Sequence, residues 1–233
     1  MAKPVGFDQK ILFEEMEFTA EEVVRTSRAE MYGKLDQFLL GRIKGDKSRK
    51  NTTTILMKIW SLVDDSHVEL HQQALDLIPN LPSEQRLVIH WGMTLLAYPF
   101  FYDLVKELGS LFVLQDEVAS SQVGRKMKSI YGDRRRVEVA TGAVLSSLYS
   151  WGVLKREKNN YKYIETVIAE PQLKIWLLNV LLQLSGSNVA ALDVLTNSPV
   201  IFPFQCQVSP LDFENSPLSV SRQGINMMFV STR

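Results

Sequence analysis

Apolar and polar positions alternate at helical spacing through the first hundred residues. Between Ala20 and Leu40, Val23, Val24, Met31, Leu35, Phe38 and Leu39 line one side, behind a Thr19–Glu22 pair spaced as a capping box. One long helix is predicted there. The polar run GRIKGDKSRKN breaks the pattern, and Asn51 or Thr52 can cap a second helix carrying Ile55, Leu56, Ile59, Trp60 and Val63. A third predicted helix, about residues 68–78, stops before Pro79 and Pro82. Ser83 caps a fourth, very apolar helix through about Tyr98. Pro99 ends or kinks it, and FFYDLVKEL continues to Gly109, which suits a C′ position.

From Leu111 the pattern changes. Leu111 to Leu114 forms a short apolar run suited to a strand, and Asp116 can cap a helix carrying Val118, Val123, Met127 and Ile130. Gly132 and Asp133 make a turn, with Asp133 as N-cap for a helix over 134–151. Val137, Ala140, Val144, Leu148 and Trp151 recur along it at spacings of three and four, widened by Leu145. Gly152 ends that helix. Val153 and Leu154 open a strand, Glu157 to Asn160 turn, and Tyr161, Tyr163 and Ile164 return, the two tyrosines as strand packing. After Pro171, helices are predicted over about 171–185 and 188–197. Strand chemistry follows at Phe202 to Val208 and in LSVSRQGINMMFV, with a turn near Gln223 and Gly224.

The predicted fold class is mainly α. A helical N-terminal bundle (1–110) leads into a winged-helix module (111–168). C-terminal helices closed by a small antiparallel β-sheet (169–233) complete the chain.

Charge sharpens this picture at one place. Residues 125–162 hold ten cations, Arg125, Lys126, Lys128, Arg134, Arg135, Arg136, Lys155, Arg156, Lys158 and Lys162, against Asp133, Glu138 and Glu157. That stretch therefore carries +7, and because the chain sums to zero, the remainder carries −7. Positive charge gathered on one module points to nucleic acid. Three arginines at a helix start oppose the macrodipole at about 0.3–1 kcal/mol each, so a purely structural helix gains nothing from them. A helix whose N-terminus enters a DNA groove does gain, because Arg forks onto guanine or phosphate.

The other candidate contacts follow from this placement. Thr141, Gly142 and Ser146 fall further along the same side, small enough for close approach. Arg125, Lys126 and Lys128 on the preceding helix suit phosphate anchoring. The hairpin carries Lys155, Arg156, Lys158 and Lys162, with Asn159 and Asn160 at its tip, for the backbone or the minor groove. A second basic cluster, Arg42, Lys44, Lys47, Arg49 and Lys50, sits in the break after the first helix. It extends the track if it lies beside the module, and is otherwise a solvated loop.

The leading partner is thus double-stranded DNA. Two other readings use the same residues. One is a protein-interaction scaffold, docking an acidic partner on the basic surface and offering the C-terminal sheet for strand addition. The other is an RNA-binding protein.

The order of parts also resembles a family. A helical half, the strand-like LFVL, a helix from Asp116, a second helix running into LSSLYSWGVL and a charged hairpin together resemble the small helical accessory protein of bacteriophage-exclusion (BREX) defence systems. The resemblance spans about residues 20–185 and leaves out the tail with FPFQCQV and RQGINMMFV. It implies a DNA-binding, non-catalytic component of a multi-protein phage-defence system, with other protein subunits as partners.

Signals for an enzyme are missing from the sequence. His67 and His71 in HVELH are spaced for one helical face, but Glu69 stands two residues after the first His, where the zinc-protease pattern needs Glu directly after it. They are expected as half-exposed helix residues, His90 as a core group, and Cys206 as a buried small hydrophobe. No glycine-rich phosphate cradle is present, and GDRRR does not supply one. No metal, cofactor or catalytic residue is predicted. A single cysteine suits a reducing compartment, and MAKPVGFDQK has no apolar stretch of a secretory signal. The uncharged and very apolar run Leu87 to Tyr102 has 16 residues, short of the roughly 20 that span a bilayer. A cytoplasmic protein without membrane contact is expected, its Leu87–Tyr102 run a buried helix.

Overall fold

The computed structural model of the protein describes residues 3–224 and 227–233. Met1 and Ala2, in the segment read for a secretory signal, and Ile225 and Asn226, in the expected C-terminal hairpin, lie outside the described residues.

The first expected helix is in fact two, α1 (Phe13–Val23) and α2 (Arg28–Leu40). Ser27 and Glu30 form the capping box that starts α2. Ser27 Oγ accepts from the Glu30 amide at 3.4 Å, and the Glu30 carboxylate accepts from the Ser27 amide at 3.2 Å. Thr19 instead lies buried inside α1, donating to the Glu15 carbonyl, and Val24 faces outward at the break. α3 (Asp46–Trp60) begins within the basic run, ahead of the expected cap at Asn51, with Asp46 in its first turn where the dipole favours an acid. α4 (Val68–Leu77) matches the third expected helix.

α5 (Ser83–Ala97) is buried on nearly all sides from Leu87 to Leu96, and its N-cap is Pro82, which has no side-chain cap to give, rather than Ser83. α6 (Pro99–Leu114) takes Pro99 as its first residue, where a fixed φ and a missing N–H are harmless. It runs straight through Gly109 and through Leu111 to Leu114, so neither the C′ position nor the strand expected there exists. The glycine has a different reason. A Cβ on Gly109 would stand 2.9 Å from the carbonyl carbon of Pro199, in the 3₁₀ turn Pro199–Ile201.

The first small strand is β1 (Val118–Ala119), followed by α7 (Ser120–Tyr131). Asp116 caps nothing, because Val118 and Ala119 pair antiparallel with Tyr161 and Asn160 and delay the helix. α8 (Arg135–Ser150) has Arg134 as its N-cap residue; Asp133 turns its carboxylate to Lys128 at 2.8 Å instead. β2 (Leu154–Glu157) and β3 (Asn160–Tyr163) form the hairpin, its turn narrowed to Lys158 and Asn159, with Lys158 at φ +57°. The three strands lie in the order β1-β3-β2, all antiparallel.

β4 (Thr166–Val167) leads to α9 (Pro171–Ser185), which ends on a left-handed Gly186. The next expected helix is shortened to α10 (Leu192–Thr196), because β5 (Val189–Ala191) joins a sheet. Of the strand expected over Phe202 to Val208, only β6 (Phe204–Gln205) forms, and it pairs in parallel with β4. β7 (Leu218–Gln223) and β8 (Met227–Thr232) make the expected C-terminal hairpin, and the sheet order is β5-β8-β7. The fold is mainly α, with a small antiparallel sheet at the C-terminal end.

One buried cluster runs from Val5 to Val230. Of its largest side chains, Trp91 lies on α5 while Trp60 and Trp176 pack against that helix at His90 and Gly92, and two of the three reach backbone carbonyls: Trp91 Nε1 to Val200 at 3.1 Å and Trp176 Nε1 to Leu70 at 2.9 Å. Among the described residues no helix is long and apolar enough to cross a membrane. The apolar run Leu87–Tyr102 is core, as expected.

Candidate nucleic-acid interface

α7 buries Val123, Met127 and Tyr131, one residue per turn, and leaves Arg125 and Lys126 exposed with Lys128 half-buried. α8 buries the stripe read from its sequence: Val137, Ala140, Val144, Leu145 and Leu148, with Trp151 beyond its end. Thr141 belongs to that buried side as well. It stands one turn after Val137, donates Oγ1 to the Val137 carbonyl at 2.8 Å and is 5% exposed, so it is corrected from a contact residue to a core one. Ser146 is exposed, as expected.

An N-terminal strap, residues 3–12, runs along α8. Phe7 is buried against Tyr98 and Phe101, the Ile11 amide donates to Ser147 Oγ at 2.9 Å, and Trp151 Nε1 donates to the Ile11 carbonyl at 2.9 Å. This strap decides what the three arginines do. Arg134 folds back onto the end of α7, donating Nε and Nη2 to the Tyr131 carbonyl and Nη2 to the Lys3 carbonyl at 2.9 Å. It caps the carbonyl end of α7 and ties down the strap. Arg136 stands 3.6 Å from Asp8. Arg135 is the most exposed of the three, its side chain 88% exposed with Glu138 at 3.7 Å.

Three of the other seven cations of the stretch meet acids, some local and some from outside it. Lys126 pairs with Glu107, and Lys162 with Glu117 and Glu157. Lys128 binds Asp133 and Glu138, whose hydrogen bonds raise its pKa; Glu117 and Glu157 do the same for Lys162. Asp8, Glu107 and Glu117 lie outside 125–162, and counting them lowers the local charge from +7 to +4. Five cations have no carboxylate within ion-pair distance among the described residues: Arg125, Arg134, Lys155, Arg156 and Lys158. Arg156 steadies the hairpin turn by donating to the Lys158 carbonyl at 3.0 Å.

At the hairpin tip Asn159 is exposed, while its carbonyl accepts from the Ser120 amide at 3.2 Å. Asn160 is the first residue of β3 and donates to Glu117, so the tip available to a partner is Lys158 and Asn159. Tyr161 packs in the core; Tyr163 meets Phe112 at 5.0 Å between ring centroids. No hydrogen bond or ion pair among the described residues joins Arg134–Arg136 to the hairpin.

Of the second basic cluster only Arg42 and Lys44 lie in a loop, between α2 and α3. Lys47, Arg49 and Lys50 lie on α3, where Arg49 is buried and binds Asp36, Asp46 and the carbonyls of Ile43 and Lys44. Arg42 pairs with Glu14 over the Phe38 ring, and Lys50 with Asp46. Only Lys44 and Lys47 remain exposed and unpaired among the described residues. No ion pair or hydrogen bond there links the cluster to 120–163.

Two residues missed in the sequence belong to the exposed side of α8: Val139 and Tyr149. Both could have been placed there by the same wheel that placed the buried stripe. Elsewhere, no three His, Cys, Asp or Glu side chains among the described residues are grouped to hold a metal. His67 and His71 are half-buried, and burial pushes the Cys206 thiol up to about 11. No family model, curated protein or solved structure matches the chain.

Proposed function

We propose that α6, β1, α7, α8 and the β2–β3 hairpin are a winged helix that binds double-stranded DNA. Its role is non-catalytic, as a regulator or an accessory subunit of a DNA-handling or phage-defence system. The element order and the β1-β3-β2 sheet support the module. The observation that carries the DNA reading is the placement of exposed cations. Arg125 on α7 and Lys155, Arg156 and Lys158 on the hairpin have no carboxylate within ion-pair distance among the described residues, and Arg135 at the start of α8 has its side chain 88% exposed with Glu138 at 3.7 Å. On this reading α8 enters the major groove and the hairpin follows the backbone.

The test is binding of the full chain to a random duplex over a salt series. Log affinity should fall against log salt with a slope of about −0.9 per neutralised phosphate. Replacing Arg135, Lys155 and Lys158 by Ala together should flatten the slope by about 2–3. A flat slope in the parent protein would sink the proposal. Competition with structured RNA separates the RNA-binding reading.

A second reading, docking of a protein partner, draws on one observation. Val113 and Leu114 at the end of α6 are 78% and 81% exposed. A stable partner recovered from nuclease-treated extract, lost on Val113→Ser with Leu114→Ser, would favour it over DNA.

A further inference from the structure

Arg135, Val139, Gly142 and Ser146 stand on α8 at spacings of four, three and four, which stacks them on one side of the helix. All four are exposed. Val139 is 43% exposed although its neighbours Val137 and Ala140 are fully buried. A Cβ built on Gly142 meets nothing within 4 Å, and Gly is disfavoured inside a helix. The fold therefore gives no packing reason for a glycine there. The one nearby carboxylate, Glu138, is drawn off by Lys128 at 2.6 Å. The result is a stripe with a cation at its start, then an apolar branch, then a bare stretch of backbone.

That sequence of groups has a counterpart in the major groove. Guanine offers O6 and N7 to a guanidinium fork, and thymine alone offers a methyl group. Four residues advance about 6 Å along a helix axis. Bases on one strand are spaced by about 3.4 Å. Arg135 and Val139 thus reach bases one or two steps apart. Gly142, the next residue on the stripe, lets the helix backbone close onto the groove where any larger side chain would hold it off.

We propose that Val139 is a specificity-determining residue that reads a thymine methyl, one or two steps from a guanine read by Arg135, and that Gly142 sets the closeness of approach. This rests on the duplex-binding reading above and adds to it which bases the helix selects.

Selection of the full chain against a random duplex pool should enrich sites holding G and T one or two steps apart. In such a site, replacing that thymine by deoxyuridine removes only the methyl and should weaken binding about fourfold, the worth of one buried methyl. Val139→Ala should bind the thymine site about as weakly as the parent binds the deoxyuridine site, with no further loss on deoxyuridine. Gly142→Leu should weaken binding to every duplex at least tenfold while its melting temperature stays at or above the parent's.

The inference is overturned if selection shows no thymine, if thymine and deoxyuridine bind equally, or if Val139→Ala keeps the full difference between them. Undiminished binding by Gly142→Leu overturns its second half. Failure of the underlying reading looks different: no duplex binds at all, at any salt.

Discussion

Alanine at Gly109 and at Gly142 should move stability in opposite directions. In Gly109→Ala the new methyl stands 2.9 Å from the Pro199 carbonyl carbon, closer still to its oxygen, and 3.1 Å from Cδ1 of Phe202. The obstacle is backbone, and the turn that carries it holds Val200 and Ile201 in the core, so it cannot retreat alone. Overpacking costs about 1–3 kcal/mol, and an immovable neighbour puts this site near about 3. Ala in place of Gly inside a helix returns about 1 kcal/mol. The net loss is about 2 kcal/mol. A domain of this size shifts by roughly 2–4 °C per kcal/mol, so the melting midpoint should fall by about 4–8 °C. Gly142→Ala meets nothing within 4 Å and keeps only the propensity gain, so its midpoint should rise by about 2–4 °C. Far-UV circular dichroism melts, with a second scan to establish reversibility, measure both. A Gly109→Ala midpoint at or above the parent's would refute the close approach of α6 to the turn, and a lower one for Gly142→Ala would refute the open face of α8.

Two further predictions concern charge. Asp8→Asn releases Arg136 from its only acidic neighbour among the described residues, so duplex affinity should rise a few-fold and the salt slope should steepen by about 0.9; unchanged values for both reject Arg136 as a phosphate contact. Stability should also fall on mild acidification. Burial lowers the pKa of His90 despite its 2.6 Å hydrogen bond to Glu17, and burial lowers that of His71 as well. Below the ordinary value of 6.5 the unfolded chain therefore takes up protons that the native chain refuses, and stability drops as pH falls from 6.5 toward the native values. Burial pushes the Glu17 carboxyl up, but hydrogen bonds from His90 and Arg86 outweigh it and hold the pKa below 4.5, adding a second loss below that pH. Urea midpoints at about pH 7.5 and 5.5 measure the first window. His71→Gln with His90→Gln should flatten it, and a double variant that keeps the full drop would reject these two residues as its source.

What was legible in the sequence was what a single element decides by itself. The buried stripe of α8, the charged hairpin and the apolar run of α5 all follow from local periodicity, and each forms where it was expected. Misreadings arose where a partner far along the chain decided the outcome. Leu111 to Leu114 has strand composition, yet it continues α6, where Phe112 meets the rings of Tyr163 and Phe202 from far along the chain. Val118 and Ala119 look like a helix start, yet they pair with residues of the hairpin. Thr19 and Glu22 have capping-box spacing, but Ser27 and Glu30 have it too, and local sequence does not rank the two. The candidate site fared likewise. Which residues are cations is plain from composition; which are neutralised depends on Asp8, Glu107 and Glu117, and only the fold brings these to the module.

Arg134 carries the consequence for the interface. In the sequence it is one of three equal charges. In the structure its guanidinium is spent on the last carbonyl of α7 and on the strap, which fixes the angle between α7 and α8 and the path of residues 3–12. Its neighbour Arg136 is drawn toward Asp8 on that same strap. The strap thus holds Arg134, draws Arg136 and leaves Arg135 the most exposed of the three, the one that would reach a base on the proposed reading. A helix end held in this way presents a single defined guanidinium rather than a diffuse basic patch. A single defined guanidinium is suited to forking onto one base, whereas a diffuse patch is suited to any polyanion. On the proposed duplex-binding reading, the same geometry that lowers the net charge of the module therefore favours selection among duplex sequences over indiscriminate attraction to phosphate.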